Sequence, residues 1–166
     1  NEQSIQTLAV ACEDSVQLWH VGVEPNAYDE HVPTAEAWLA LLHDGGAASN
    51  LCWCPSGNFS PVCSIGGLSR LGLLAAACDD AKIRLWALPT RVSLCGLTEV
   101  GVLPIAAWVR PNIVLERPGV KPLSLAWRPA PKCSHLAVGG ADGSLVVWDL
   151  NSAQHSAPVE GGRAAG

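Results

Sequence analysis

Three stretches of the chain repeat one arrangement of apolar and polar positions. They are Leu8-Ala-Val-Ala-Cys-Glu-Asp14-Ser-Val-Gln-Leu-Trp19, Leu74-Ala-Ala-Ala-Cys-Asp-Asp80-Ala-Lys-Ile-Arg-Leu-Trp86 and Leu136-Ala-Val-Gly-Gly-Ala-Asp142-Gly-Ser-Leu-Val-Val-Trp148. Each starts on small apolar residues, reaches an acidic turn and returns through an apolar run that ends on Trp. This is the pattern of a β-hairpin. Asp142-Gly143 is the strongest turn signal, because both residues tolerate the positive φ of a tight turn, and Asp14-Ser15 and Asp80-Ala81 are weaker versions. In Val16-Gln-Leu-Trp19 and Ile83-Arg-Leu-Trp86 one polar residue interrupts the apolar ones, as in a half-buried strand. The run Ala75-Ala76-Ala77 suits a strand packed closely between neighbouring sheets.

Two further segments precede the second and third hairpins and resemble each other, Leu51-Cys-Trp53-Cys-Pro55-Ser-Gly57 and Leu125-Ala-Trp127-Arg-Pro129. Pro is tolerated where a strand stops. The order is strand, Pro loop, hairpin, Trp, linker, and then again. One more strand per unit is expected: Asn112–Glu116 ahead of Leu125 and Ala37–Leu42 ahead of Leu51. Thr34 and Gly45 would cap and end a helix over the latter, but the repeat register favours a strand. The Trp residues at 19, 86 and 148 lie further apart than the ~40–45 residues of a common propeller repeat. The excess falls in 58–70, before the second hairpin, and 87–108, after it.

Composition changes this picture little. Of 166 residues 49% are hydrophobic and 15% charged, which excludes extensive disorder. Seven Trp stand against one Phe and one Tyr, so Trp marks a repeated position rather than general core filling. The net charge of −5 and scattered basic residues argue against strong direct DNA binding, which needs Lys and Arg to neutralise phosphates. Seven Cys, without CxxC spacing, read as small buried side chains in a reducing compartment. A zinc site from Cys12, Cys78 and Cys133 with a His has no ligand spacing behind it. No apolar run reaches the ~18 residues of a membrane span. The chain lacks Met and ends in a Gly/Ala tail, which reads as a piece of something longer or an incomplete gene model.

With these residues in view, the pattern resembles the WD40 family, down to Trp148-Asp149 at the end of the third unit. The resemblance implies an all-β fold: a WD40 β-propeller fragment of about two and a half blades, with the ring not closed, since such rings hold about seven. Residues 1–22 are then the end of one blade, 23–89 a second with insertions, 90–150 a third with a long connection, and 151–166 a flexible tail. Many WD repeats carry a Gly-His pair ahead of the inner strand, hydrogen-bonded to the turn Asp. The loops 44–50 and 117–122 hold no His, so only the Asp-turn part of that network carries over. Asn151 stands where a Trp-Asp-x-Arg motif has Arg, which weakens an analogy with ubiquitin-ligase adaptors.

More narrowly, Leu51–Gly57, Arg70–Ala76, Ile83–Pro89, Leu123–Pro129 and His135–Leu150 resemble the propeller of the WD-repeat subunits of general transcription factor IIIC. That resemblance implies a nuclear scaffold that binds sister subunits at internal promoters of RNA polymerase III genes, such as those for tRNA and 5S RNA, and touches DNA only through the complex.

Candidate functional residues divide by repetition. Asp14, Asp80 and Asp142 recur at a turn, so a structural role outweighs an acid–base or metal site. Trp19, Trp86 and Trp148 recur at a strand end, so core packing outweighs an aromatic cage; Asp149 belongs to the same repeat. Trp38, Trp108 and Arg110 fall outside the repeat and are the candidate partner contacts, since Trp and Arg dominate interface hot spots. No nucleophile motif, phosphate loop or His-Glu-x-x-His is present. The expectation is a non-enzyme without cofactor, metal or small-molecule substrate. The alternatives are a peptide-binding adaptor in a chromatin or ubiquitin-ligase complex, and an enzyme-like propeller, disfavoured by apolar inner strands.

Overall fold

The computed structural model describes residues 6–25, 31–55, 70–89, 105–108, 110–129, 133–150 and 159–161. They form twelve strands: β1 (Gln6–Ala11), β2 (Ser15–Pro25), β3 (His31–Leu42), β4 (Ala48–Trp53), β5 (Arg70–Cys78), β6 (Lys82–Pro89), β7 (Ile105–Trp108), β8 (Ile113–Glu116), β9 (Pro122–Trp127), β10 (His135–Gly140), β11 (Leu145–Asp149) and β12 (Val159–Gly161). The strands make three four-stranded sheets, in the orders β1-β2-β3-β7, β4-β5-β6-β8 and β12-β11-β10-β9. The sheets do not close into a ring. Neighbours are antiparallel except β3 and β7, which pair in parallel from Leu39–Ile105 to Leu42–Trp108.

The three repeats become three hairpins with one register. Leu8 lies opposite Trp19, Leu74 opposite Trp86 and Leu136 opposite Trp148. Gly143 takes φ +76° in the third turn, and Ala81 takes φ +65° at the matching place in the second. A Cβ in this region costs roughly 1–2 kcal/mol. The turn is held by the Ala81 N–H donating to the Cys78 carbonyl at 3.2 Å and the Lys82 N–H to Asp80 Oδ1 at 3.2 Å.

Ala37–Leu42 is strand, as the register predicts, but its place is in the first sheet: β3 pairs with β2 along its whole length. Likewise β8 pairs with β6. The segments counted with the second and third units on sequence therefore finish the sheet before them. Val159–Gly161, within the expected flexible tail, pairs with β11 in the same manner. The physical reason is common to all three: the outer edges of β2, β6 and β11 present unpaired N–H and C=O groups, and the chain that follows covers them. The 87–108 insertion adds β7 outside β3 before the chain returns as β8.

Two apolar layers hold the sheets together. Val16, Leu18, Trp38, Leu39 and Leu41 of the first sheet meet Leu74, Ala76, Cys78, Trp86 and Leu88 of the second. The opposite face of the second sheet, with Ala75, Ala77, Ile83, Leu85 and Leu115, meets Leu125, Trp127, Leu136, Val138, Val146 and Trp148 of the third. Residues 74–78 are all fully buried because both faces of β5 are covered. Cys52 and Cys54 both pack on the second layer, while Trp53 between them turns to the first. At the converging edge, Trp127 Nε1 donates to the Cys52 carbonyl at 3.1 Å, tying β9 to β4.

Candidate functional site

The densest polar arrangement lies where the turn between β5 and β6 meets the loop ahead of β4. Asp80 stands in that turn, and Arg84 stands on β6 with its side chain turned toward the first sheet. Arg84 reaches both Asp80 carboxylate oxygens at 2.8 Å and Asp44 Oδ1 at 3.0 Å. Its side chain is 7% exposed, against 28% for Asp80 and 86% for Asp44. The guanidinium hydrogen bonds hold the Asp80 carboxyl below its usual range, and the bond to Asp80 holds Arg84 protonated at any ordinary pH. The half-buried strand expected over 83–86 is in fact buried throughout, and Arg84 is buried with its charge paired.

The loop is fitted to this ion pair. A Cβ on Gly45 would stand 2.4 Å from Arg84 Nη1, 2.8 Å from Cζ and 3.0 Å from Cys78 Cβ. The Asp80 N–H donates to the Gly45 carbonyl at 3.1 Å and the Asp79 N–H to that of Ala47 at 3.0 Å. Cys78 is buried beneath, and that burial pushes its thiol pKa up.

A histidine does stand beside this cluster, one residue outside the 44–50 loop, bonded to the loop backbone rather than to the turn Asp. His43 is buried, its Nδ1 accepts the Gly45 N–H at 3.3 Å, and its ring lies 5.8 Å from that of Trp86. Its Nε2 has no hydrogen-bond partner among the described residues. Burial, aided by the Arg84 charge, holds the imidazole below its ordinary pKa, so it is neutral near pH 7. The signal for it was its distance from the strand after the loop; the missing Gly before it hid the match. In the third sheet the corresponding loop has Arg117, which hydrogen-bonds Ser144, and the Ala141 N–H donates to the Lys121 carbonyl at 2.9 Å.

This junction makes stability depend on pH in a stated direction. His43 has a folded pKa below its unfolded 6.5, so the unfolded state takes up the proton first and stability falls as pH drops through 6.5. Asp80 also has a depressed folded pKa; its contribution is present above 3.8 and lost as pH falls further, through the folded value. Urea midpoints should therefore be level above about pH 7 and decline in two stages below it. His43→Phe removes the upper stage; a midpoint that rises on acidification contradicts this account.

The other sequence-singled residues are distributed as follows. Asp14, Asp80 and Asp142 occupy turns of three different sheets. Asp142 Oδ1 accepts the Ser144 N–H at 3.0 Å, the same local bond that Asp80 makes to Lys82. Trp86 and Trp148 are 0% and 6% exposed, each facing the preceding sheet, while Trp19 is half-buried on a face that none of the other described sheets covers. Asp149 lies opposite His135 at the end of β11. Trp38 is corrected: rather than an exposed anchor it is wholly buried, its ring 5.2 Å from that of His20. The irregularity at Leu18/Trp19 puts it there, because Trp38 and Leu39 both join the layer between the first two sheets. Trp108 ends β7 on the outer edge of the first sheet, and Arg110 just after it is exposed. Among the described residues no three His, Cys, Asp or Glu side chains are grouped to hold a metal ion, so Cys12, Cys78 and Cys133 are not brought together.

Comparison with known proteins fits this construction. The WD40 family (WD domain, G-beta repeat) matches residues 41–87 and 119–149. General transcription factor 3C polypeptide 2 of Homo sapiens and that of Pongo abelii are each 30% identical to the chain over 155 residues. The alignments cover 81% of this chain but 16% of those relatives, so the chain spans under a fifth of their length. Among solved structures, the WD40 domain of Toxoplasma gondii coronin is similar with a TM-score of 0.50 and 23% identity, covering 93% of this chain and 33% of that one. Repeated register, blade-on-blade layers and these likenesses agree: the chain carries WD40 repeats and is an unclosed arc of a WD40 β-propeller.

Proposed function

We propose that the chain is the propeller section of a WD-repeat subunit of general transcription factor IIIC. In this reading it is a non-catalytic nuclear scaffold that binds sister subunits at the internal promoters of RNA polymerase III genes, those for tRNA and 5S rRNA. The observation that carries the reading is the 30% identity to general transcription factor 3C polypeptide 2 over 81% of the chain. The chemistry supports it: the polar cluster of the second blade is consumed in its own turn, and a net charge of −5 leaves DNA to other subunits. The edge we assign to a sister subunit is that of β7, where Trp108 ends the strand that the insertion adds and Arg110 follows it.

The test is affinity purification of the full-length parent protein from nuclear extract, with the co-purifying proteins identified. Recovery of the other factor IIIC subunits together with tRNA-gene DNA is expected, and Arg110→Glu should lower that recovery several-fold without changing the protein's own yield. Recovery of a ubiquitin ligase or a histone-modifying complex in their place overturns the assignment.

A further inference from the structure

The apolar layer between the first and second sheets stops short of their outer rim. In the first sheet it reaches β3, through Trp38, Leu39 and Leu41, and in the second it reaches β6, through Trp86 and Leu88. The outermost strand of the second sheet adds no buried side chain to it. Instead β8 turns Ile113 and Leu115 to the other layer, toward the third sheet. Val114 lies opposite Arg84 and so shares its face toward the first sheet, yet it is 43% exposed. Among the described residues, no apolar packing closes the rim of this junction at β8. The chain itself does: after β6 it leaves the second sheet, pairs as β7 with β3 of the first, and comes back as β8. Its return is pinned by Asn112, whose N–H donates to the Leu85 carbonyl at 2.8 Å and whose Oδ1 accepts the Ala87 N–H at 2.6 Å. Residues 109–112 join the two strands, which keeps the end of β7 within about 18 Å of the start of β8.

We infer that β7 is a releasable strap across the first junction. Paired with β3, it holds the outer rims of the first two sheets together; unpaired, it lets β3 part from β6. The hold on β3 is the weaker of its two attachments. It spans four residues only, in parallel, the arrangement that is less stable per residue. The segment it covers, Leu39–Leu42, includes Leu39 and Leu41 of the layer in which Cys78 is wholly buried. Release of the strap therefore opens the surroundings of Cys78 first. Among the described residues, no strand is exchanged in this way between the second and third sheets, so the layer that buries Cys54 does not depend on it. The inference stands on the strand pairing and is independent of the transcription reading, so either can fail without the other.

The test is cysteine alkylation by N-ethylmaleimide in the native full-length parent protein, with the rate at each site read by peptide mass spectrometry. Cys78 reports on the first layer, and Cys54, 6% exposed, on the second. Neighbouring N–H groups of a strand face opposite edges, so Ala106→Pro combined with Ala107→Pro removes a donor to β3 whichever residue supplies it. In this variant Cys78 should react roughly tenfold faster or more, with Cys54 at its wild-type rate. Asn112→Ala frees the other attachment and leaves every residue of β7 in place. It should speed Cys78 several-fold with the same selectivity, and it decides the matter where the proline variant does not fold. Cys78 at its wild-type rate in the folded proline variant, or in Asn112→Ala where that variant does not fold, overturns the inference. So does a Cys54 accelerated as much as Cys78, which would mark general loosening rather than a strap.

Discussion

Trp86→Ala lowers the free energy of unfolding by about 3–5 kcal/mol, whereas Trp19→Ala, at the same position of the repeat, costs roughly half of that or less. Trp86 is fully buried in the layer between the first two sheets and carries His43 against its ring. Its removal leaves a void bounded by Leu74, opposite it in the hairpin, and by the side chains of the first sheet. A large-to-small change in such a place loses both the transfer energy of the ring and the contacts of the lining atoms. Trp19 has the same hairpin partner in Leu8 but is half-buried, with its Nε1 on Gln17 Oε1 at 3.2 Å. The comparison is made by urea unfolding followed by circular dichroism. Equal costs at the two positions would show that the burial gradient along the arc does not govern stability.

The second large effect belongs to a glycine. Gly45→Ala should cost about 1–3 kcal/mol, although a Gly-to-Ala change in a loop usually stabilises by restricting the unfolded chain. The new methyl group falls on the Arg84 guanidinium and close to Cys78 Cβ. The guanidinium is the end of a long side chain, yet it is held by Asp80 and Asp44 and cannot move without breaking those bonds. In Arg84→Ala alone, the freed carboxylates are accessible to water, so that loss stays moderate and no charge is stranded in the core. A double-mutant cycle separates the contributions: with Arg84 already truncated, Gly45→Ala should cost clearly less than in the parent. An additive result would place the strain on Cys78 and the backbone instead.

Much of this was legible in the chain itself. Three copies of a small-apolar run, an acidic turn and a closing Trp determined three hairpins, because strand alternation and turn chemistry are local. The insertion at 87–108 was legible because a repeat shows where it is interrupted, and β7 stands in it; the one expected at 58–70 lies, but for Arg70, outside the described residues. The resemblance of Trp148-Asp149 and its surroundings to the WD40 family also held. His43 escaped, since it was sought inside a loop whose length the sequence does not mark. Trp38 escaped for a different reason: a break in the repeat suggests an exposed site, yet one irregularity between β2 and β3 is enough to turn a side chain from one face of a sheet to the other.

The sequence by itself determined the hairpins, their register and the kind of fold, since each follows from neighbours along the chain. Only the tertiary structure decided which sheet each outer strand completes, which of three equivalent Leu or Trp residues is covered, and that Arg84 is buried with its charge paired. Those outcomes depend on the sheet that stands next door. A strand edge takes whichever segment reaches it, and an apolar face is buried or bare according to whether a neighbour is present.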